Sequence, residues 1–286
     1  MSLPPIESIL RGSAATAALL LCVSACASGD VAPRPAAAVG TPTAPAPAVP
    51  APAAPVPDPC AAPVVCTTED SAAQLRITRP GVYDGRGHRV PSILITAAGV
   101  TVRNFVVSGG TQTGIWSQGA GNTIADNDIS NIGYGHDDID AIRWFGDGTR
   151  ILRNTIHDLV RGAIRDAHPD CAQTYANSLP GSSHVLIEGN RCLGLDYHQC
   201  FMAEGPRSTD GGGGGGGVSR DWRIEDNLCE GTSNQAIALR DIHDVAIVDN
   251  TFAGRNTKAI QRTDGTSGLT TGGNVLGPHV GRLIGD

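Results

Sequence analysis

From residue 98 onward, short apolar runs rich in β-branched residues alternate with Asn, Gly and Asp too quickly for helices to form between them. One phrase recurs: β-branched residues, a charged or small residue, Asn, and another apolar residue two positions on. It reads Val102-Arg103-Asn104-Phe105-Val106, then Ile124-Ala125-Asp126-Asn127-Asp128-Ile129, then Ile151-Leu152-Arg153-Asn154-Thr155-Ile156. It returns as Ile187-Glu188-Gly189-Asn190-Arg191-Cys192, Ile224-Glu225-Asp226-Asn227-Leu228-Cys229 and Ile247-Val248-Asp249-Asn250-Thr251-Phe252, and fades at Asn274-Val275-Leu276. Successive asparagines stand 23, 27, 36, 37, 23 and 24 residues apart. A period in this range predicts stacked structural units. In the unexpanded repeats a second apolar phrase follows, as Gly114-Ile115-Trp116, Gln235-Ala236-Ile237-Ala238 and Lys258-Ala259-Ile260-Gln261. Two short strands and their turns fill such a unit, which is one coil of a solenoid.

Stacking coils at the interstrand spacing of about 4.8 Å sets equivalent residues directly above one another. The asparagines then form a side-chain amide ladder. Val106, Ile129, Ile156, Cys192, Cys229, Phe252 and Leu276 are expected to form one interior column. Over about residues 75–286 the sequence resembles the right-handed parallel β-helix proteins of the pectin lyase-like superfamily. The expected fold class is therefore all-β, a right-handed parallel β-helix solenoid. The same stacking puts Cys192 over Cys229 and Cys171 over Cys200, close enough for disulfides along the columns. For Cys192 and Cys229, stacked free thiols fit equally well. Cys60 and Cys66 are expected to close a small loop at the N-terminal cap. No Cys-x-x-Cys occurs, which argues against a zinc site.

The leading segment has a different character. Arg11 precedes an apolar run from Ala14 to Val23, the length of a signal-peptide hydrophobic region. Val23-Ser24-Ala25-Cys26 resembles the lipobox of bacterial lipoproteins, which implies lipidation of Cys26 after cleavage; ordinary secretion with cleavage near Ala25 or Ala27 is the alternative. Residues 27–59 are nearly all Ala, Pro, Val and Thr, an extended linker that cannot bury a core. The expected organisation is leader and lipobox over 1–26, linker over 27–59 and β-helix over 60–286. The expected product is an exported monomer anchored to the membrane through its lipid. Six cysteines remain beyond Cys26, an even set that suits disulfides outside the cell. The net charge of -7 and the single lysine, Lys258, speak against nucleic acid as a partner.

Three successive repeats are longer than the base of 23 residues, and they hold most of the unusual polar side chains. Expanded loops on adjacent coils suggest walls around a site. Aligning the second strands puts Asp140, Asp170 and Gln199 in one column and Arg143, Gln173 and Met202 in another, with His168 and His198 just before their strands. His136, Asp137, Asp138 and His157 read as solvated or turn residues, and His243 and His279 as surface residues. The seven glycines Gly211 to Gly217 form a flexible insertion. The resemblance implies extracellular polysaccharide along the solenoid face. In β-elimination from a uronate, or in its epimerisation, a base removes the C5 proton and a cation or hydrogen-bond donor stabilises the enolate. His168 suits the base, oriented by Asp170 or Asp140, with Arg143 or Gln173 at the substrate carboxylate. Gln173, His198, Glu204 and Trp144 are the expected substrate-binding residues, with Trp116 and Tyr175 also placed to stack on sugars. The alternative role for Asp140 and Asp170 is to hold Ca²⁺. Hydrolysis would need a carboxyl pair, Asp140 with Asp170 or Asp170 with Glu204. The reading from another class is a glycan-binding or surface-display protein whose polar cluster is structural.

Overall fold

A computed structural model of the chain describes residues 60, 61, 63–133, 138–159, 168–194, 199–208, 213–263 and 265–285. The leader, the linker and Cys26 lie outside the described residues, as do His136, Asp137 and His198. All strand pairings among the described residues are parallel, each strand bonding to its equivalent one coil away. One sheet of nine strands runs from Val64–Cys66 to Thr270–Gly272. A second, of fifteen, doubles back along the axis and supplies the other two faces. Its two halves join through Leu228–Arg240, a strand that rounds the corner without a break, as does Thr251–Thr263 one coil on. On the preceding coils the two faces are separate strands, such as Val106–Ser108 and Thr113–Gln118. The fold is a parallel β-helix.

The amide ladder runs from Asn127 through Asn154, Asn190, Asn227 and Asn250 to Asn274. In each step the backbone N–H and the side-chain Nδ2 of one Asn both donate to Oδ1 of the next, at 2.8–3.1 Å. Nδ2 also donates across the turn, as from Asn190 to the Ile151 carbonyl at 2.8 Å. The ladder therefore satisfies the backbone groups that a turn takes out of the sheets.

Asn104, expected to be its first rung, is one residue out of phase. The rung position on that coil is Phe105, whose N–H donates to Asn127 Oδ1 at 3.0 Å. Asn104 instead occupies the preceding position, which is left-handed on each coil from there on: φ is 56° at Asn104, 55° at Asp126, 51° at Arg153, 66° at Gly189, 54° at Asp226, 56° at Asp249 and 64° at Gly273. Asn, Asp and Gly tolerate that backbone best, so the repeat places two Asn-compatible positions side by side. The same offset moves the interior column by one residue: Val107, not Val106, aligns with Ile129, followed by Ile156, Cys192, Cys229, Phe252 and Leu276.

The cysteine pairing differs from expectation. Disulfides join Cys60 to Cys66 and Cys200 to Cys229, the latter with Cα atoms 5.7 Å apart. Neither the Cys171–Cys200 nor the Cys192–Cys229 bond forms, although the columns are as aligned: Cys192 is in register with Cys229, and Cys171 precedes Ala172 as Cys200 precedes Phe201, its register partner. Side chains stacked in one column point the same way, into the interior, where they meet a second column. Gly114, Ala141, Cys171, Cys200, Ala236 and Ala259 form the small-residue column. It faces the bulky one so closely that a Cβ added to Gly114 would lie 3.0 Å from Ile129 Cγ2. Bonding therefore runs across the coil.

The ladder predicts an asymmetric mutational response. Asn190→Ala removes the acceptor for the Asn154 N–H and Nδ2 and is expected to cost about 3 kcal/mol or more. Asn104→Gly, which keeps the left-handed turn and loses only the bond to Asp84, should cost under about 1 kcal/mol. Guanidinium denaturation of the two variants measures the difference.

Candidate functional site

The strands Asp138–Phe145 and His168–Thr174 lie side by side on adjacent coils, with Asp138 against His168, Asp140 against Asp170 and Arg143 against Gln173. The next coil sets Met202 against Gln173. Gln199 adjoins Asp170, its N–H donating to Asp170 Oδ1 at 2.7 Å. The aligned columns thus gather the polar residues on neighbouring rungs, at the corner where the first two long repeats are expanded; the third carries its extra residues between Glu204 and Ser219, at the next corner.

Their exposure divides them into two groups. Asp140 and Asp170 are 0% and 1% exposed. Arg143, beside them, is ion-paired to Asp140 and to Asp138, the latter through Nη2 at 2.5 Å. Trp116 on the preceding coil and Tyr175 on the following one hold their rings 5.6 and 5.5 Å from its guanidinium carbon. Phe145 connects the two rings at 5.4 and 5.1 Å. His168 is exposed, and Asp138 is partly so. Both stand at the beginnings of their strands, at the rim of the buried group.

Burial raises the pKa of both interior carboxyls. Asp140 is pushed up to about 7, because desolvation and the neighbouring Asp138 charge outweigh the attraction of Arg143. Asp170 is raised well above the ordinary carboxylate value by burial and by the Asp140 charge. Arg143 pairs with Asp140 and Asp138, which leaves the second buried carboxyl without a cation of its own, so the pair retains a proton near neutrality.

Several expected roles change in this setting. Trp144, expected at the sugar face, is 0% exposed and packs inside the helix against Trp222, their rings 5.9 Å apart. It shares the inward parity of Ile142, two residues earlier, whereas Trp116 and Tyr175 are half-buried near the surface. Arg143 is enclosed by its ion pairs and the two rings, so it presents no free face to a substrate carboxylate. Glu204 is buried, pairing with Arg240 at 2.7 Å and accepting the Ala176 N–H at 3.3 Å. Gln173 is 7% exposed, and its Oε1 has no hydrogen-bond partner. Asp140 and Asp170 do not fit a Ca²⁺ site: both are sealed from water, the first is held by Arg143, and among the described residues no three His, Cys, Asp or Glu side chains converge on a metal position. Asp138, read from sequence as a turn residue, belongs to the cluster. The signal was its offset from Asp140, which matches that of His168 from Asp170.

Beside the cluster, Gln74, Leu94, Gln112, Thr113 and Trp116 line a depression of about 190 Å³. A second, of about 280 Å³, adjoins Phe145 and is bounded by Gly119, Asp147, Leu179 and Pro180. Both are below the size of pockets that enclose whole small molecules.

Residues 91–276 match the family model described as right handed beta helix region. The chain belongs to this right-handed β-helix family. Similar solved structures include PfbA, a surface adhesin of Streptococcus pneumoniae, at 13% identity and a TM-score of 0.43, covering 73% of this chain and 62% of the adhesin, less than two thirds of its length. The A-module of the mannuronan C-5 epimerase AlgE4 of Azotobacter vinelandii is 13% identical with a TM-score of 0.39, covering 78% of each chain. The AlgE6 A-module of the same organism is 12% identical with a TM-score of 0.34, covering 78% of this chain and 81% of that one. No curated protein matches the chain. At this level the likeness carries no argument about what this chain does.

The buried pair generates a pH prediction. An acid that titrates higher when folded contributes stability that is complete below its unfolded value, 3.8 here, and is lost as pH rises through the folded value. The thermal midpoint should therefore fall between about pH 4 and about pH 8. Asp170→Asn, which retains the acceptor for Gln199, should flatten that slope relative to the wild type in parallel melts.

Proposed function

We propose that the protein is an exported, lipid-anchored β-helix protein that acts on extracellular uronate-containing polysaccharide by proton abstraction, leading to β-elimination or epimerisation. The observation that carries this reading is the position of His168. It is an exposed imidazole at the rim of a buried carboxyl pair whose pKa values burial raises, beside the corner where its own coil is expanded. His168 takes the C5 proton, and Asp138, its register partner one coil back, balances the imidazolium that forms. Gln173, the most exposed of the buried residues in the cluster, donates its side-chain N–H to the substrate carboxylate as the enolate develops. Asp140, Asp170 and Arg143 are positioning residues, since their burial keeps them from the reacting atoms; they hold the two strand starts in register and set the charge beneath them. Hydrolysis is the weaker chemistry for this site, because Asp140, Asp170 and Glu204 are all buried and neither expected carboxyl pair can flank a glycosidic bond.

One observation favours the non-catalytic alternative, glycan binding or surface display: the charged interior groups already pair among themselves, as a structural network would.

The test incubates the soluble domain with a panel of uronic-acid polymers, with and without Ca²⁺. Ultraviolet absorbance follows unsaturated ends and proton NMR follows inverted residues. A lyase or epimerase yields one of these products, reduced by about 100-fold or more in His168→Ala with an unchanged thermal midpoint. Asp170→Asn is expected to lower turnover less and to shift its pH profile. Retention of the polymer without any product assigns the protein to the binding class.

A further inference from the structure

Four cysteines lie together in the interior, on two consecutive coils. Cys171, Cys192, Cys200 and Cys229 are each 0% exposed. Cys171 and Cys200 belong to the small-residue column, and Cys192 and Cys229 to the bulky column opposite. On the later coil the two columns are bonded, Cys200 to Cys229. On the earlier coil Cys171 and Cys192 are both thiols, and the Cys171 thiol hydrogen-bonds the Cys192 sulfur. Each rung is thus the translated copy of the other: residue partners above, the same facing columns, the same interior direction. A geometry that accepts a disulfide between Cα atoms 5.7 Å apart on one rung is repeated on the next.

We propose that Cys171 and Cys192 close a second disulfide across the coil, stacked directly on Cys200–Cys229. The oxidant is a disulfide compound or disulfide-carrying protein of the compartment into which the chain is exported. The Cys171 thiolate attacks a sulfur of that oxidant, forming a mixed disulfide and releasing one thiolate. The Cys192 thiolate then attacks Cys171 Sγ, forming the intrachain bond and releasing the second. Two protons and two electrons leave the cysteines, and the oxidant is reduced to two thiols.

The step belongs to folding. Inside the finished helix, burial and the Cys192 bond hold the Cys171 thiol well above its ordinary pKa, so little thiolate forms there. The bond forms while the coils are still open to the oxidant, and stacking then seals it. Its consequence is local: Cys171 directly follows Asp170, and Cys200 directly follows Gln199. Two crossbars would fix the rungs that carry the polar cluster.

The test uses the full chain exported from a host cell into an oxidising compartment. The purified protein is denatured without reductant, alkylated with iodoacetamide and mapped by mass spectrometry of non-reduced peptides. The expected result is a linked peptide pair joining Cys171 to Cys192, a second joining Cys200 to Cys229, and no alkylation at any of the four. Alkylation of both Cys171 and Cys192 overturns the proposal, and so does a map joining Cys171 to Cys200 and Cys192 to Cys229. Refolding of the reduced chain with glutathione disulfide should give the same map, whereas the folded protein with both thiols reduced should resist oxidation.

Discussion

The structure depends on one constraint: a chain that turns a corner on every coil must satisfy the backbone groups it withdraws from the sheets. The Asn ladder meets it, because a single Oδ1 accepts both the backbone N–H and the amide of the preceding rung while Nδ2 reaches a carbonyl on the other side. This fixes the phase of each coil to about one residue. Everything inside follows from that phase, including which side of each strand faces the core and which residues share a column.

Phase explains why the polar cluster is mostly buried. The same register that aligns Asp140 with Asp170 aligns them on the inward side, one position from the small-residue column that closes the corner. Two carboxyls in such a place either pair with a cation or keep protons, and here Arg143 and protonation share the task. The aromatic rings of Trp116 and Tyr175 then complete the enclosure of Arg143 from the neighbouring coils. What reaches the surface is the beginning of each strand, where Asp138 and His168 stand.

The interior packs by complementarity between columns. Gly114, Ala141, Ala236 and Ala259 leave room opposite Ile129, Ile156 and Phe252, and on two consecutive rungs both partners are cysteine. A column of small residues says which coils are neighbours; the facing column decides what each residue touches.

The sequence by itself determined the solenoid, because the Asn spacing and the two apolar phrases per coil admit no other periodic structure, and it determined the alignment of Asp140 with Asp170 and Arg143 with Gln173, because register follows from counting along equal strands. It misplaced Asn104 and Val106 by one residue, since the left-handed position and the ladder position both accept Asn and lie side by side. Only the tertiary structure decided direction: that Trp144 points inward, that Glu204 is spent on Arg240, and that Cys200 bonds across its coil to Cys229. A repeat reports which residues are stacked; which way they face, and what lies opposite, depends on how the three faces close around the core.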